Sequence, residues 1–161
     1  MHLTARHRLN HSLEFVSQRL TDFQRFEALA EAQGILQDRR GDLQKPLSCN
    51  WALEFWFRGK MRYPELSVPR FDTPQDWSFE LQEAALFIRC DIALEAGDEA
   101  QCFLRISCTL HPLSLRMFMR LQAIQLAAHK TQKRFQAGIE HYIDLALALP
   151  LSLIHISEPT R

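Results

Sequence analysis

Three stretches of the chain alternate apolar and polar residues with a period of two, and they constrain the fold more than any other feature. In Cys49–Phe57 the residues Cys49, Trp51, Leu53, Phe55 and Phe57 share one face, opposite Asn50, Ala52, Glu54 and Trp56. In Leu86–Leu94 the apolar face is Leu86, Ile88, Cys90, Ile92 and Leu94, and in Cys102–Leu110 it is Cys102, Leu104, Ile106, Cys108 and Leu110. Side chains of a strand point alternately to its two faces, so each stretch predicts a strand with one face to be covered. Ala96-Gly97-Asp98-Glu99 supplies a turn between the last two, which predicts an antiparallel hairpin.

The neighbouring segments extend this pattern. Trp77, Phe79 and Leu81 alternate with Ser78, Glu80 and Gln82, and Met1–Arg8 alternates loosely enough to open the sheet. Arg58-Gly59-Lys60 reads as a hairpin turn into a strand near Met61–Phe71, where Pro64 and Pro69 demand an edge, a bulge or an early end. The sum is an antiparallel meander of about six or seven strands.

Elsewhere the period is helical. Leu13, Val16, Leu20, Phe23, Phe26 and Leu29 recur at spacings of three and four. Asn10 and Ser12 offer caps before them, Asp22 caps a second start, and Gly34 is a stop. Two short helices are expected, over roughly 12–21 and 23–33, followed by a polar connector around Arg39–Lys45. From Leu113 onward Met117, Leu121, Ile124, Ala128, Phe135, Ile139, Tyr142 and Ala146 form a stripe. Unbroken to Leu149 it predicts a helix about 55 Å long at 1.5 Å per residue. If the helix bends or frays anywhere, Gly138 is the expected place, because glycine weakens a helix interior.

The charge balance bears on partners. The 161 residues carry 19 Lys and Arg against 19 Asp and Glu, so the long-range attraction that nucleic acid requires is missing. No apolar run reaches the ~20 residues needed to span a bilayer, and Met1–Asn10 lacks a secretory apolar core. A soluble cytoplasmic protein of one domain is expected, large enough for a substantial core. Cys49, Cys90, Cys102 and Cys108 show no C-x-x-C spacing, so buried free thiols are expected rather than zinc or redox chemistry.

The order strand, two helices, long meander and final helix resembles the SRPBCC (START-like) superfamily. The likeness is carried by LTDFQRFEALAEAQG, by W-x-L-x-F-W-F-R-G-K at 51–60 and by HPLSLRMFMRLQAIQLAAHKTQKRF, which are similar to segments of bacterial SRPBCC family proteins across nearly all of 1–149. His11-Ser12 replaces the Ala-Pro that opens the first helix there. The resemblance implies an α+β helix-grip fold, a curved sheet around a long C-terminal helix with an apolar cavity between them. The last eleven residues, LSLIHISEPTR at 151–161, resemble letter for letter the translation of a transposase mosaic-end sequencing adapter. The expected division is therefore a single START-like domain over 1–150 and a non-native tail over 151–161.

The implied cavity places Trp51, Leu53, Phe55, Phe79, Leu81, Ile88 and Ile106 of the sheet opposite Met117 and Leu121 of the helix. Such a lining suits a lipid, quinone or polyketide-like molecule bound without catalysis. Two alternatives stay open: a polyketide cyclase or hydrolase using polar groups in the cavity, and an interaction module whose core is filled. No histidine pair has metal-ligand spacing, Ser107-Cys108 has no nearby His, and no cofactor or metal site is signalled. Arg116, Arg120, Lys130, Lys133 and Arg134 give the last helix a basic face, which allows peripheral membrane contact; a solvated face is the plainer reading.

Overall fold

The structure, a computed structural model, describes residues 1–148; the adapter-like tail lies outside the described residues. The chain opens with strand β1 (His2–Leu9), then helices α1 (Leu13–Leu20) and α2 (Phe23–Ala32). Strands β2 (Leu36–Arg40), β3 (Asn50–Phe57), β4 (Lys60–Arg62), β5 (Glu65–Thr73), β6 (Asp76–Glu83), β7 (Leu86–Ala96) and β8 (Cys102–Pro112) follow. Helices α3 (Leu115–Gln125) and α4 (Ala128–Ala148) complete the described chain. The sheet has eight antiparallel strands in the order β1-β8-β7-β6-β5-β3-β2, with β4 paired to β3 off this path. This is the helix-grip fold: a curved antiparallel sheet whose inner face is covered by the C-terminal helix.

Local chemistry explains the helix pair. The Ser12 side chain accepts from the Phe15 amide at 3.2 Å and Asp22 from the Arg25 amide at 3.1 Å, each satisfying a donor that the first helical turn leaves unpaired. At the far end of α2, Gly34 takes φ +79°. The Ile35 amide reaches back to the Ala30 carbonyl and the Gly34 amide to Glu31, the paired closure that a left-handed glycine permits.

The meander departs from the sequence expectation in three places. Leu36–Arg40 is a strand, paired with Trp51 and its neighbours on β3, although four of its five residues are polar and four are exposed. An edge strand needs only backbone partners, so no alternating pattern announced it. The expected Met61–Phe71 strand is split at Tyr63-Pro64 into β4 and β5, which together with Leu36–Arg40 brings the sheet to eight strands. The register with β6 then slips between Ser67 and Arg70, across Pro69, as a residue without an amide donor favours. Third, the terminal helix breaks at Leu126-Ala127, not at Gly138, which sits inside α4 with open space where a Cβ would be. The Ala127 amide bonds Ile124 three residues back, a tightened turn that ends α3 against β8. From there α4 runs across β1 to meet α1 and α2.

The expectation of four free thiols is also corrected. Cys90 and Cys108 are directly opposed in the β7–β8 register, with Cα atoms 4.1 Å apart, and form a disulfide. The narrow, non-hydrogen-bonded kind of antiparallel pair brings Cβ atoms close enough for this. Cys49 and Cys102 remain buried free thiols, and burial pushes both thiols up from their usual range.

Alkylation tests this pairing. The protein denatured without reductant should label two of its four cysteines and all of them after reduction. Reduction should cost about 3 kcal/mol of stability for a loop of this size; complete labelling without reductant would contradict the bond.

Candidate functional site

The concave face of the sheet does not close completely against α4. Between them lies a cavity of about 290 Å³. Its walls come from Trp51 and Leu53 on β3, Leu66 and Val68 on β5, and Trp77, Phe79 and Leu81 on β6. Ile92 on β7 with Leu104 and Ile106 on β8 form the floor, α4 contributes Ile139, Tyr142 and Ile143, and Leu20, Phe23 and Phe26 close the end beneath α1 and α2. A groove beside β2 has more volume, about 370 Å³, but it is open and ringed by Glu27 and Arg39, which already pair with each other at 2.8 Å.

Aromatic rings define one wall. Phe23 meets Trp51 and Trp77 edge-on at centroid distances of 5.7 and 5.5 Å, and Phe26 meets Trp51 at 5.7 Å. These tilted contacts are the arrangement that ring quadrupoles favour, and they hold the wall rigid. Trp51 is further fixed through its indole N–H, which donates to Glu27 at 2.9 Å. The indole nitrogen of Trp77 has no partner among the described residues although it is fully buried. A buried donor without an acceptor costs about 1–3 kcal/mol, so a group able to accept from it would be stabilised here.

Among the described residues, Tyr142 is the one ionisable residue on the cavity wall. Burial pushes its phenol up to about 12, opposed only by the positive charge of Arg25, so at neutral pH it is an uncharged hydroxyl. It makes no hydrogen bond to other described residues. Arg25 belongs to α2 yet is buried to 2% exposure, donating to the Ala146 carbonyl at 2.7 Å and to Leu145 at 3.2 Å. Burial, with Arg19 nearby, lowers its pKa. These bonds to carbonyls of the last described turn of α4 tie that turn to α2.

Of the residues expected at the site, Trp51, Leu53, Phe79, Leu81 and Ile106 line the cavity. Phe55 and Ile88 do not: both pack partly buried on the rim of the core, Phe55 because β3 has there left β5 for β4 and Ile88 because it sits toward the β6–β7 turn. Met117 and Leu121 do not either. The break at Leu126 leaves them on α3, where Leu121 is buried at the end of β8, and the helical wall comes from one stripe further on, Ile139, Tyr142 and Ile143. Phe23 and Leu66 were missed because their spacing reads as ordinary core.

Among the described residues, the polar side chains elsewhere do not line the cavity. Ser78 donates to Asp91 at 2.5 Å and accepts from Arg70 at 3.0 Å, which holds the Asp91 carboxyl below its usual range, Arg89 and Arg70 adding to the effect. Ser78 alternates with Trp77 and Phe79, so this network is on the outer face. His7 lies within β1 rather than at its end, and its Nε2 is buried without a partner among the described residues. It is not part of the cavity wall.

Comparison with known proteins supports the architecture. No family model matches the chain, and no curated protein does. Among solved structures the chain is similar to norcoclaurine synthase from Thalictrum flavum in complex with dopamine and hydroxybenzaldehyde, with TM-score 0.60, 10% identity and coverage of 99% of this chain and 90% of that one. It is similar to a START superfamily protein from Mycobacterium smegmatis, with TM-score 0.53, 13% identity and coverage of 88% and 98%. The Zhui aromatase/cyclase from Streptomyces sp. R1128 matches at TM-score 0.54 and 9% identity over 71% and 69%. Identities this low establish the START and Bet v1-like fold and nothing finer.

The Tyr142 environment can be read by absorbance. In a Tyr63→Phe background the remaining tyrosine should ionise with a midpoint near 12. Since the folded pKa is raised, folding loses stability as pH rises from 10 toward 12, and a Tyr142→Phe change should remove that loss. A midpoint near 10 would place the hydroxyl in water.

Proposed function

We propose that this chain binds a compact apolar molecule, non-catalytically, in the cavity between its sheet and α4. The observation that carries this reading is an interior space of about 290 Å³ walled by apolar side chains, with the Tyr142 hydroxyl unpaired among the described residues. That volume is at the lower end of the ~300–1,000 Å³ typical of ligand sites. It suits a ring-sized molecule, a quinone or an aromatic polyketide, better than a two-chain lipid. A carbonyl or phenolic oxygen on the ligand would bond Tyr142 and, after a small adjustment, the Trp77 N–H. Trp51, Leu53, Phe79, Leu81 and Ile106 are the proposed contact residues.

Two structural neighbours, both enzymes by name, support the binding part of this reading: one holds two small aromatic molecules and the other is an aromatase/cyclase. With Tyr142 the one ionisable group that the described residues place on the wall, binding is favoured over acid-base chemistry, which needs a positioned acid or base. The open space also favours it over a filled interaction module. The SRPBCC assignment of bacterial type, the single domain over 1–150 and the adapter origin of 151–161 belong to the same proposal. So does a cytoplasmic location, where the glutathione pool sets whether the Cys90–Cys108 pair is bonded. Among the described residues no helix is long and apolar enough to cross a membrane.

Native mass spectrometry and thermal unfolding across a panel of quinones, fatty acids and polyketides test the reading. A ring-bearing carbonyl compound at 100 times its Kd should add about 2.7 kcal/mol, a rise in Tm of several degrees. Tyr142→Phe should weaken that compound about tenfold while leaving the unliganded Tm within a degree or two. No co-purified molecule and no shift with any class would refute ligand binding.

A further inference from the structure

We infer that the end of the sheet carrying α3 and the β3–β4 hairpin is a docking surface for anionic phospholipid bilayers. The sheet register puts these elements at one end: Glu65 pairs with Gln82, Glu83 with Leu86, and Leu86 with Pro112. The β6–β7 turn, the start of α3 and the hairpin beyond Ala52 therefore lie at the same end of the sheet, with β7, β6 and β5 between α3 and the hairpin. The β5–β6 and β7–β8 turns lie at the other end, beside α1, where Gln75 bonds Ser17 and Gln101 bonds Arg8.

The helix α3 has two apolar faces. One is formed by Met117, Leu121 and Ile124, of which Leu121 is buried against the domain. The other comprises Leu115, Phe118, Met119 and the following residue Leu126, at i, i+3, i+4 and i+11, within about 100° of the helix circumference at 3.6 residues per turn, an arc that also carries Gln122. These are exposed, Leu115 by 76%, Met119 by 64% and Leu126 by 93%. Arg116 and Arg120 lie on one side of this second face, between it and the first, and are themselves exposed. Between Glu99 and Glu140 the sequence has no acidic residue at all, so nothing on α3 neutralises them.

The hairpin presents the same chemistry independently. Trp56, Phe57 and Tyr63 are exposed, Trp56 by 67%, and the exposed Arg58 and Lys60 stand between them at the turn. Trp and Tyr are the residues that settle at the boundary between headgroups and acyl chains, and an amphipathic helix with apolar and basic faces lies in that same plane. The acidic groups on the strands at this end, Asp38, Glu54, Glu65 and Glu83, are set back from the hairpin tip. A second copy of the chain suits the surface poorly: a two-fold contact would bring Arg116 and Arg120 against their own symmetry mates. A bilayer containing phosphatidylserine supplies both the apolar phase and the negative charge. The inference stands apart from the ligand reading and survives its failure.

Flotation of the full chain with vesicles tests it. Binding is expected to phosphatidylcholine mixed with phosphatidylserine, at least about tenfold weaker to phosphatidylcholine alone, and reduced by added salt. Leu115→Ser with Met119→Ser, and separately Arg116→Glu with Arg120→Glu, should each lower binding to the mixed vesicles about tenfold or more while circular dichroism stays unchanged. Should either pair fail to fold, brominated lipids mixed into the anionic vesicles must still quench part of the wild-type tryptophan emission, and a Trp56→Phe variant must lose that part. No binding to mixed vesicles, equal binding to both kinds, variants that bind like wild type, or a concentration-dependent dimer in place of vesicle binding would overturn the proposal.

Discussion

One helix cannot cover this sheet, and the rest of the structure depends on that mismatch. An α-helix with its side chains is about 10–12 Å wide, whereas seven strands side by side span about 30 Å. Because β3 and β5–β8 all turn an apolar face inward, the uncovered part must be buried some other way. The sheet curls around α4, and α1 and α2 plug the end beneath it with Leu20, Phe23 and Phe26. The space that none of these elements reaches is the cavity. Arg25 keeps the geometry fixed, since its guanidinium ties α2 to the last described turn of α4. Truncating it would leave those carbonyls with one partner fewer in a dry place.

The parts of this arrangement that rest on local pattern were legible in the residues. Alternation in 49–57, 86–94 and 102–110 marked the strands, Ser12 and Asp22 marked the helix starts, and the Arg58-Gly59 turn marked the hairpin. What was not legible depends on pairing between distant segments. Leu36–Arg40 joins the sheet through backbone bonds to β3, which its polar side chains do not advertise. The Cys90–Cys108 bond needed the hairpin register: once Leu94 is set opposite Leu104, counting outward sets Cys90 opposite Cys108. That signal was present and unused.

The site shows the same division. Inward positions on β3, β6 and β8 were identifiable from phase, so Trp51, Leu53, Phe79, Leu81 and Ile106 fall on the cavity wall. The helical contribution was displaced because the stripe from Leu113 to Ala146 is continuous in sequence while the helix is not. With the break at Leu126, Met117 and Leu121 belong to a separate helix at the sheet's end. That same break leaves a second apolar face of α3 without a partner, so the element misassigned to the cavity is the one that presents an unpartnered surface.

Tryptophan fluorescence offers the most direct test of the central claim, that the cavity admits a ligand. In a Trp56→Phe variant the two remaining indoles, Trp51 and Trp77, both line the cavity. Titration with a short-chain, fully ring-substituted quinone should quench them along a saturable curve that ends near one equivalent, and Ile106→Phe, which fills the floor, should abolish the saturable part. Quenching that stays linear and weak to the highest concentration would mean that the quinone meets these residues only by collision, and the claim would fail.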